Sequence, residues 1–544
     1  MVEFFIMRAI SIKNLSYSYP GNKDKVLDNI NLEIPQGGFF VLAGPSGSGK
    51  STLLMLMRGF SQEFGGKIEG KIFVGGLDVC AIQIAELGST IGIVFQNPGL
   101  QLHQLKVFDE IMSAGMYRGF PFGECKQKTE KLIKEVVGED IGQCSPEELS
   151  GGQKQKVALA AALMFDAPVL LLDEPFSFLD GGAKQEFLDI LVNLNKQGKT
   201  IIVVTHDVGL VAPWATQMAV IDHGHILKSG NAAEVIYSDQ MAKTSGVPLF
   251  VEMAKQAKIK ERPLSWQKFP SGDVAVNKFR QKYVKAHQNS EISLSLENVG
   301  FSYPGGKFGL KNISCDFYRG EIFGFVGVNG SGKSTLVKVV SGFLKIKTGK
   351  IMIGGEEITN LASEKRARRI GYSTQDPLDM FFESTVLGEV SAGPKFLHLD
   401  GIRKRAEVIL NDFSLAAYKD RHPDSISGGE KKRLAIADIA INDVDIILLD
   451  EPEFGLDQKN WGMVCDYLRR LANRGKTIII ITQDLEAVYC FCDRVGVFCD
   501  GEIVAIGRPE RIFLDEKTVK KGGLITPGIM CFIKLAEDRK GAIN

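Results

Sequence analysis

Two nine-residue segments, GPSGSGKST at Gly44 to Thr52 and GVNGSGKST at Gly327 to Thr335, have the composition of loops that grip phosphate. Glycines let successive backbone N–H groups converge on phosphate oxygens, and the positive end of a following helix reinforces them. Gly44, Pro45, Ser46, Gly47, Ser48, Gly49 and Thr52 would form the first cradle, and Gly327, Val328, Asn329, Gly330, Ser331, Gly332 and Thr335 the second. Lys50 and Lys333 can reach the β- and γ-phosphates of a nucleotide, while the hydroxyls of Ser51 and Ser334 can offer an oxygen to Mg²⁺. Downstream, VLLLDE and IILLDE each end an apolar run in two carboxylates with separable tasks. Asp173 and Asp450 suit Mg²⁺ bound through water; Glu174 and Glu451 suit the orientation and polarisation of an attacking water. Such a pair could merely cap the next helix, but its place behind a phosphate loop favours chemistry.

These residues need strands that end beside helix starts. The runs FFVLA and IFGFV precede the two loops, and β-branched runs such as TIIVVT and TIIIIT alternate with helical stretches such as KQKVALAAALM. That alternation predicts a mainly parallel sheet flanked by helices, an α/β fold. The landmarks also recur in order. The phosphate loop returns 283 residues later, and both LSGGQ (as ISGGE) and LLLDEP (as ILLDEP) return after 277, so the chain holds two copies of one domain. The expected boundaries are 8–235 and 291–517, joined by 236–290 and followed by a C-terminal extension at 518–544. The connection is basic: Lys255 through Lys285 holds nine Lys and Arg against Glu261 and Asp273, and reads as a solvated linker.

A chain of 544 residues must divide into domains, and its 44% hydrophobic and 24% charged residues supply sizeable cores without a bias to disorder. Sixty-five basic residues balance 65 acidic ones, which removes whole-chain charge as a reason to bind nucleic acid or anionic lipid. No apolar run reaches the roughly 18 residues of a membrane helix, and Glu3 sits where a secretory leader would be basic, so an intracellular chain is expected. The nine cysteines show no zinc spacing and read as reduced thiols.

The order of phosphate loop, Gln96 or Gln375, SGGQ or SGGE, LLDEP, then THD or TQD resembles the ATP-binding-cassette ATPases over nearly the whole chain, twice. The resemblance implies two tandem cassettes, each with a helical signature subdomain and a small antiparallel β subdomain. It also implies that they pair head to tail, with each ATP held between one cassette's phosphate loop and the other's signature turn. The first site would combine Lys50, Ser51, Gln96, Asp173, Glu174 and His206 with Ser427, Gly428 and Gly429. The second would combine Lys333, Ser334, Gln375, Asp450, Glu451 and Gln483 with Ser150, Gly151 and Gly152. Gln96 and Gln375 are implied as Mg²⁺ and water contacts, Asp180 and Asp457 as D-loop residues, and Tyr19 and Tyr303 as adenine-stacking rings. A departure appears at the γ-phosphate contact, where His206 in the first copy becomes Gln483 in the second. Glutamine keeps a neutral donor but cannot carry charge or shuttle a proton, so the second site is expected to be slower.

FQNPGLQLHQLKVFDEI and STQDPLDMFFESTVLGEV are similar to the segment after the glutamine in ATPases of energy-coupling-factor importers, which take up vitamins and transition-metal ions. Both tails, GNAAEVIY with TSGVPLFVEMAKQ and GRPERIFL with GGLITPGIMCFIKLAE, resemble the extension of that branch. This likeness implies a transmembrane coupling subunit, a membrane-embedded substrate-binding subunit and a peripheral place on the cytoplasmic face of the membrane. Leu102, Val107, Phe381, Phe382 and Val386 are the expected apolar anchors for the coupling subunit, with a place in the core as the alternative for several of them. The alternatives are an ATPase of another ATP-binding-cassette transporter class and a soluble tandem cassette acting on ribosomes or DNA; against the latter, Pro263, Pro270 and Gly272 would interrupt a long charged helical linker, and the cysteines of the repair and recycling branches are missing.

Overall fold

Strands Phe39–Ala43 and Ile322–Val326 are buried at all positions, as expected of central strands covered on both faces, where apolar residues run without alternation. A computed structural model describes residues 8–22, 24–177, 179–269, 290–306 and 309–530. The chain divides into two units, 1–251 and 252–544.

The first unit begins with β1 (Arg8–Ser18), β2 (Leu27–Pro35), β3 (Phe39–Ala43), β4 (Lys67–Val74) and β5 (Leu77–Asp78). It continues with β6 (Ile91–Val94), β7 (Val169–Asp173), β8 (Thr200–Val204), β9 (Gln217–Asp222) and β10 (His225–Asn231). A six-stranded sheet in the order β10-β9-β3-β8-β7-β6 is parallel except at β10, and a separate antiparallel sheet runs β2-β1-β4-β5. One apolar core joins them, with Tyr17, Leu27 and Ile34 from the antiparallel sheet against Leu53, Leu54 and Met57 of the helix Lys50–Arg58. Helices Val107–Met116, Phe122–Leu132 and Gly151–Leu163 form the helical subdomain between β6 and β7.

The second unit repeats the plan. Its strands are β11 (Ile292–Ser302), β12 (Gly309–Tyr318), β13 (Ile322–Val326), β14 (Thr348–Ile353) and β15 (Glu356–Glu357), then β16 (Ile370–Ser373), β17 (Ile446–Asp450), β18 (Thr477–Ile481), β19 (Arg494–Cys499) and β20 (Glu502–Gly507). The sheet orders are β12-β11-β14-β15 and β16-β17-β18-β13-β19-β20. The repetition extends to backbone detail: Asn14 and Asn298, Asp166 and Asp443, and His223 and Asp500 all occupy the left-handed region in matching places. The α/β expectation and both subdomains therefore stand.

The connection is not solvated throughout. Trp266 and Phe269 are buried, and the Trp266 indole donates to Glu486 Oε1 at 2.6 Å within the second unit, so this part of the linker packs as structure. The two rings pack on each other with centroids 5.7 Å apart, and aromatic side chains of this size gain much by burial. Residues 270–289, with Lys278, Arg280, Lys282 and Lys285 of the basic stretch, lie outside the described residues.

Candidate active site

At each phosphate loop a strand delivers the chain to a helix whose start is preceded by glycine in the left-handed region, Gly49 at φ 100° and Gly332 at φ 117°. A Cβ on Gly44 would lie 2.2 Å from the Ile221 carbonyl, and one on Gly327 would lie 2.4 Å from that of Phe498, so these turns accept only glycine. The lysines are buried and fold back over the cradle. Lys50 Nζ donates to the Gly44 and Pro45 carbonyls at 2.7 and 2.8 Å, and Lys333 Nζ to those of Gly327 and Val328 at 2.8 Å. Tyr19 and Tyr303 sit above the helix starts, their hydroxyls 3.1 and 3.3 Å from Thr52 and Thr335 Oγ1. Each ring is also held edge-on by a neighbour, Tyr17 or Phe301.

β7 and β17 end at Asp173 and Asp450, both buried, and the Oδ1 of each has no hydrogen-bond partner among the described residues. Burial raises both carboxyls to about 6, with the Ser51 and Ser334 hydroxyls partly offsetting it. A buried acid with an orphan oxygen beside a serine hydroxyl is a donor set for a hard divalent cation, and these residues fit Mg²⁺. The next residue in each copy, Glu174 at φ 45° and Glu451 at φ 46°, is left-handed, a conformation that costs roughly 1–3 kcal/mol.

The surroundings of the two glutamates differ. Glu174 Oε2 pairs with His206 Nδ1 at 2.9 Å and accepts from the His206 backbone N–H at 3.3 Å. Burial pushes the Glu174 pKa up, but the charge and hydrogen bond of His206 outweigh it and leave it below the ordinary value; burial likewise opposes, and Glu174 overcomes, a rise in His206. Glu451 is instead gripped by two carboxamides. Gln375 Nε2 donates to Oε2 at 2.6 Å and Gln483 Nε2 to Oε1 at 2.7 Å, while Gln483 also reaches Asn329 Oδ1 at 2.9 Å. Gln96 makes no such bond to Glu174 among the described residues.

Ser150 and Ser427 begin the helices Gly151–Leu163 and Gly428–Ala440 as capping boxes with Gln153 and Glu430. Each leaves the following glycines, Gly151 and Gly152 or Gly428 and Gly429, without side chains over the helix start. Asp180 and Asp457 have a local task that the sequence reading did not assign. They cap the helices Gly181–Lys196 and Gln458–Asn473 by accepting from Ala183 N and Asn460 N at 2.9 and 2.8 Å.

Of the expected anchors, Val107 and Val386 are core residues, fully buried at the first position of helices Val107–Met116 and Val386–Phe396. Leu102 and Phe381 are half-buried, and Phe382 is 77% exposed. The exposed apolar residues around the first glutamine are Leu100 and Leu105. Behind these loops Glu110 accepts from His103 N and Gln104 N at 2.7 Å each, and Glu389 accepts from Phe382 N and Glu383 N at 3.1 and 2.8 Å. The sequence reading also gave no role to Gln101, Gln155, Phe176, Lys432 and Glu453. Setting KQK against KKR and DEPFSF against DEPEFG would have exposed the last four.

The family model described as ABC transporter matches residues 27–177 and 310–453. A Methanosarcina mazei protein named as an ABC transporter ATP-binding protein is 31% identical over 95% of this chain and 92% of its own length. A Bacillus cereus protein of the same name is 32% identical over 92% of each chain. The solved cbiO1 from Clostridium perfringens, part of the ABC transporter complex cbiONQ, is 32% identical over 45% of this chain and 100% of that one, with a TM-score of 0.39. With the family model on both halves and full-length relatives above 30% identity, the chain belongs to the ABC transporter family as an ATPase with two cassettes in one polypeptide.

Proposed function

We propose that this ATPase hydrolyses ATP at two composite sites and powers a membrane importer of the energy-coupling-factor type, for a vitamin or a transition-metal ion. The observation that carries the importer reading is the exposed apolar loop after each glutamine, with Phe382 on one and Leu100 and Leu105 on the other, set in sequences that resemble that branch. Large exposed apolar side chains beside a catalytic loop suit a coupling surface, because a helix docked there would move the glutamine directly.

Within each site the roles follow from position. Lys50 and Lys333 exchange their carbonyl partners for phosphate oxygens, and the glycine cradle supplies backbone donors. Ser51, Asp173 and Gln96, or Ser334, Asp450 and Gln375, would hold Mg²⁺, whose charge offsets that of the phosphates when it is bound. Glu174 and Glu451 orient the attacking water, with His206 or Gln483 as donor toward the γ-phosphate. Ser427 with Gly428 and Gly429 would complete the first site, and Ser150 with Gly151 and Gly152 the second. Tyr19 and Tyr303 would stack on adenine, and Asp180 and Asp457 would link the sites. The partners would be a transmembrane coupling subunit and a membrane-embedded substrate-binding subunit, with the chain on the cytoplasmic face.

The test is a Leu105→Ser/Phe382→Ser chain. Both side chains are exposed, so the fold and the ATP turnover of the purified chain should change less than about twofold, while recovery with membranes that contain the coupling subunit should fall at least tenfold. Undiminished membrane recovery would remove the coupling role from these loops.

A further inference from the structure

The two catalytic glutamines stand on equivalent loops that are braced differently. In the first cassette Gln101 closes the loop on itself: its Oε1 accepts from Phe95 N at 2.8 Å and its Nε2 donates to the Ile93 carbonyl at 3.3 Å, which fixes the main chain next to Gln96. The position that matches Gln101 in the second cassette is Met380, which has neither donor nor strong acceptor. A different residue bonds the main chain there. Lys432, on the signature helix Gly428–Ala440, is 1% exposed, and its Nζ donates to the Gln375 carbonyl at 2.9 Å and to the Thr374 and Asp450 carbonyls at 3.4 Å each. Its counterpart in the first cassette is Gln155, also buried, whose Nε2 has no partner among the described residues.

An ammonium group is costly to bury, so Lys432 needs compensation beyond three carbonyls. Burial lowers its pKa, and the nearby carboxylates, Glu453 foremost, then Asp450, Glu451 and Asp376, oppose that. Glu453 in turn accepts from the Thr482 hydroxyl and, at 3.4 Å, from the Gln483 backbone N–H. In the first cassette the place of Glu453 is taken by Phe176, buried edge-on against Phe187. The cation and its strongest acidic neighbour are therefore both present in one cassette and both missing from the other.

We propose that Lys432 is a positioning residue of the second site, tying the main chain that presents Gln375 to the strand end that presents Asp450, in place of the Gln101 brace of the first. It would touch neither nucleotide nor metal. Its effect would fall on the two side chains assigned to Mg²⁺, and in this the proposal rests on the site reading above. Partners of this kind, one step removed from a metal, change metal affinity by roughly 10- to 100-fold when lost.

The test uses the full chain with Lys50→Ala, which removes the phosphate contact of the first cassette and confines tight nucleotide binding to the second. Mn²⁺·ATP binding is measured by electron paramagnetic resonance of free Mn²⁺, and ATP binding in EDTA by equilibrium dialysis. Lys432→Gln, which installs the residue that the first cassette tolerates, should weaken Mn²⁺·ATP about tenfold and metal-free ATP less than twofold. Adding Met380→Gln, which supplies the other cassette's brace, should recover at least threefold of that loss. The proposal is overturned if Lys432→Gln leaves Mn²⁺·ATP binding unchanged. It is equally overturned if both affinities fall together with the melting temperature, since that is the mark of a merely structural lysine, or if Met380→Gln recovers nothing. Absence of any Mn²⁺·ATP binding by the Lys50→Ala chain would instead strike at the site reading itself.

Discussion

The two cassettes place the glutamates proposed to orient water, Glu174 and Glu451, in nearly the same backbone conformation, φ 45° and 46°, at the end of matching strands, and then surround them with different chemistry. Glu174 faces an imidazole that can be charged; Glu451 has both carboxylate oxygens held by neutral carboxamides. Duplication thus preserved the strained geometry that aims the carboxylate and let the donors around it diverge. Geometry is the stricter requirement because a misdirected carboxylate cannot reach the water at all, whereas a weaker donor only reduces the stabilisation of developing charge.

Removing both carboxylates should have the largest effect. A Glu174→Gln/Glu451→Gln chain should lose roughly 10²- to 10⁴-fold in hydrolysis while binding about two Mg·ATP per chain, counted by equilibrium dialysis. Binding of only one would break the equivalence of the cassettes.

Exchange of the donors comes next. Loss of one preorganised donor costs about 10²- to 10³-fold, and glutamine retains part of that, so His206→Gln should slow the first site by about tenfold. Gln483→His in a Glu174→Gln background should accelerate the second. Single-turnover hydrolysis with protein in excess separates the sites; equal rates before and after exchange would make the histidine and glutamine interchangeable.

The smallest effect is on stability, and it depends on pH. His206 is raised above its ordinary 6.5, so its pairing stabilises fully below 6.5 and is lost as pH rises through the raised value. Glu174 is lowered below 4.5, so its share is present above 4.5 and lost as pH falls through the lowered value. The pair therefore contributes most between these limits. His206→Gln should lower the melting temperature by about 2–4 °C, the shift that about 1 kcal/mol gives a domain of this size, at pH 5.5, and by less at pH 9. A constant difference across that range would mean that the histidine stabilises by packing alone.

Legibility in the sequence followed the range of the physics. A phosphate cradle is built by consecutive backbone groups, so its glycines, Lys50 and Lys333 must be contiguous and could be read in place. Duplication doubled the signal. The anchor residues failed where local pattern was ambiguous, since an apolar residue at the start of a helix, such as Val107 or Val386, looks the same whether it faces a partner or the core.

By itself the sequence determined the α/β class, the twofold repeat, the phosphate loops, the Asp-Glu pairs and the replacement of His206 by Gln483, because each rests on contacts among residues close along the chain or on bare identity. Only the tertiary structure decided that Gln375 and Gln483 both grip Glu451, that Asp173 and Asp450 are buried with an orphan oxygen, and that Lys432 reaches a carbonyl 57 residues away. Those facts depend on how parallel strands and the signature helix bring distant segments together. Whether a buried polar atom finds a partner is settled by that packing and by nothing local.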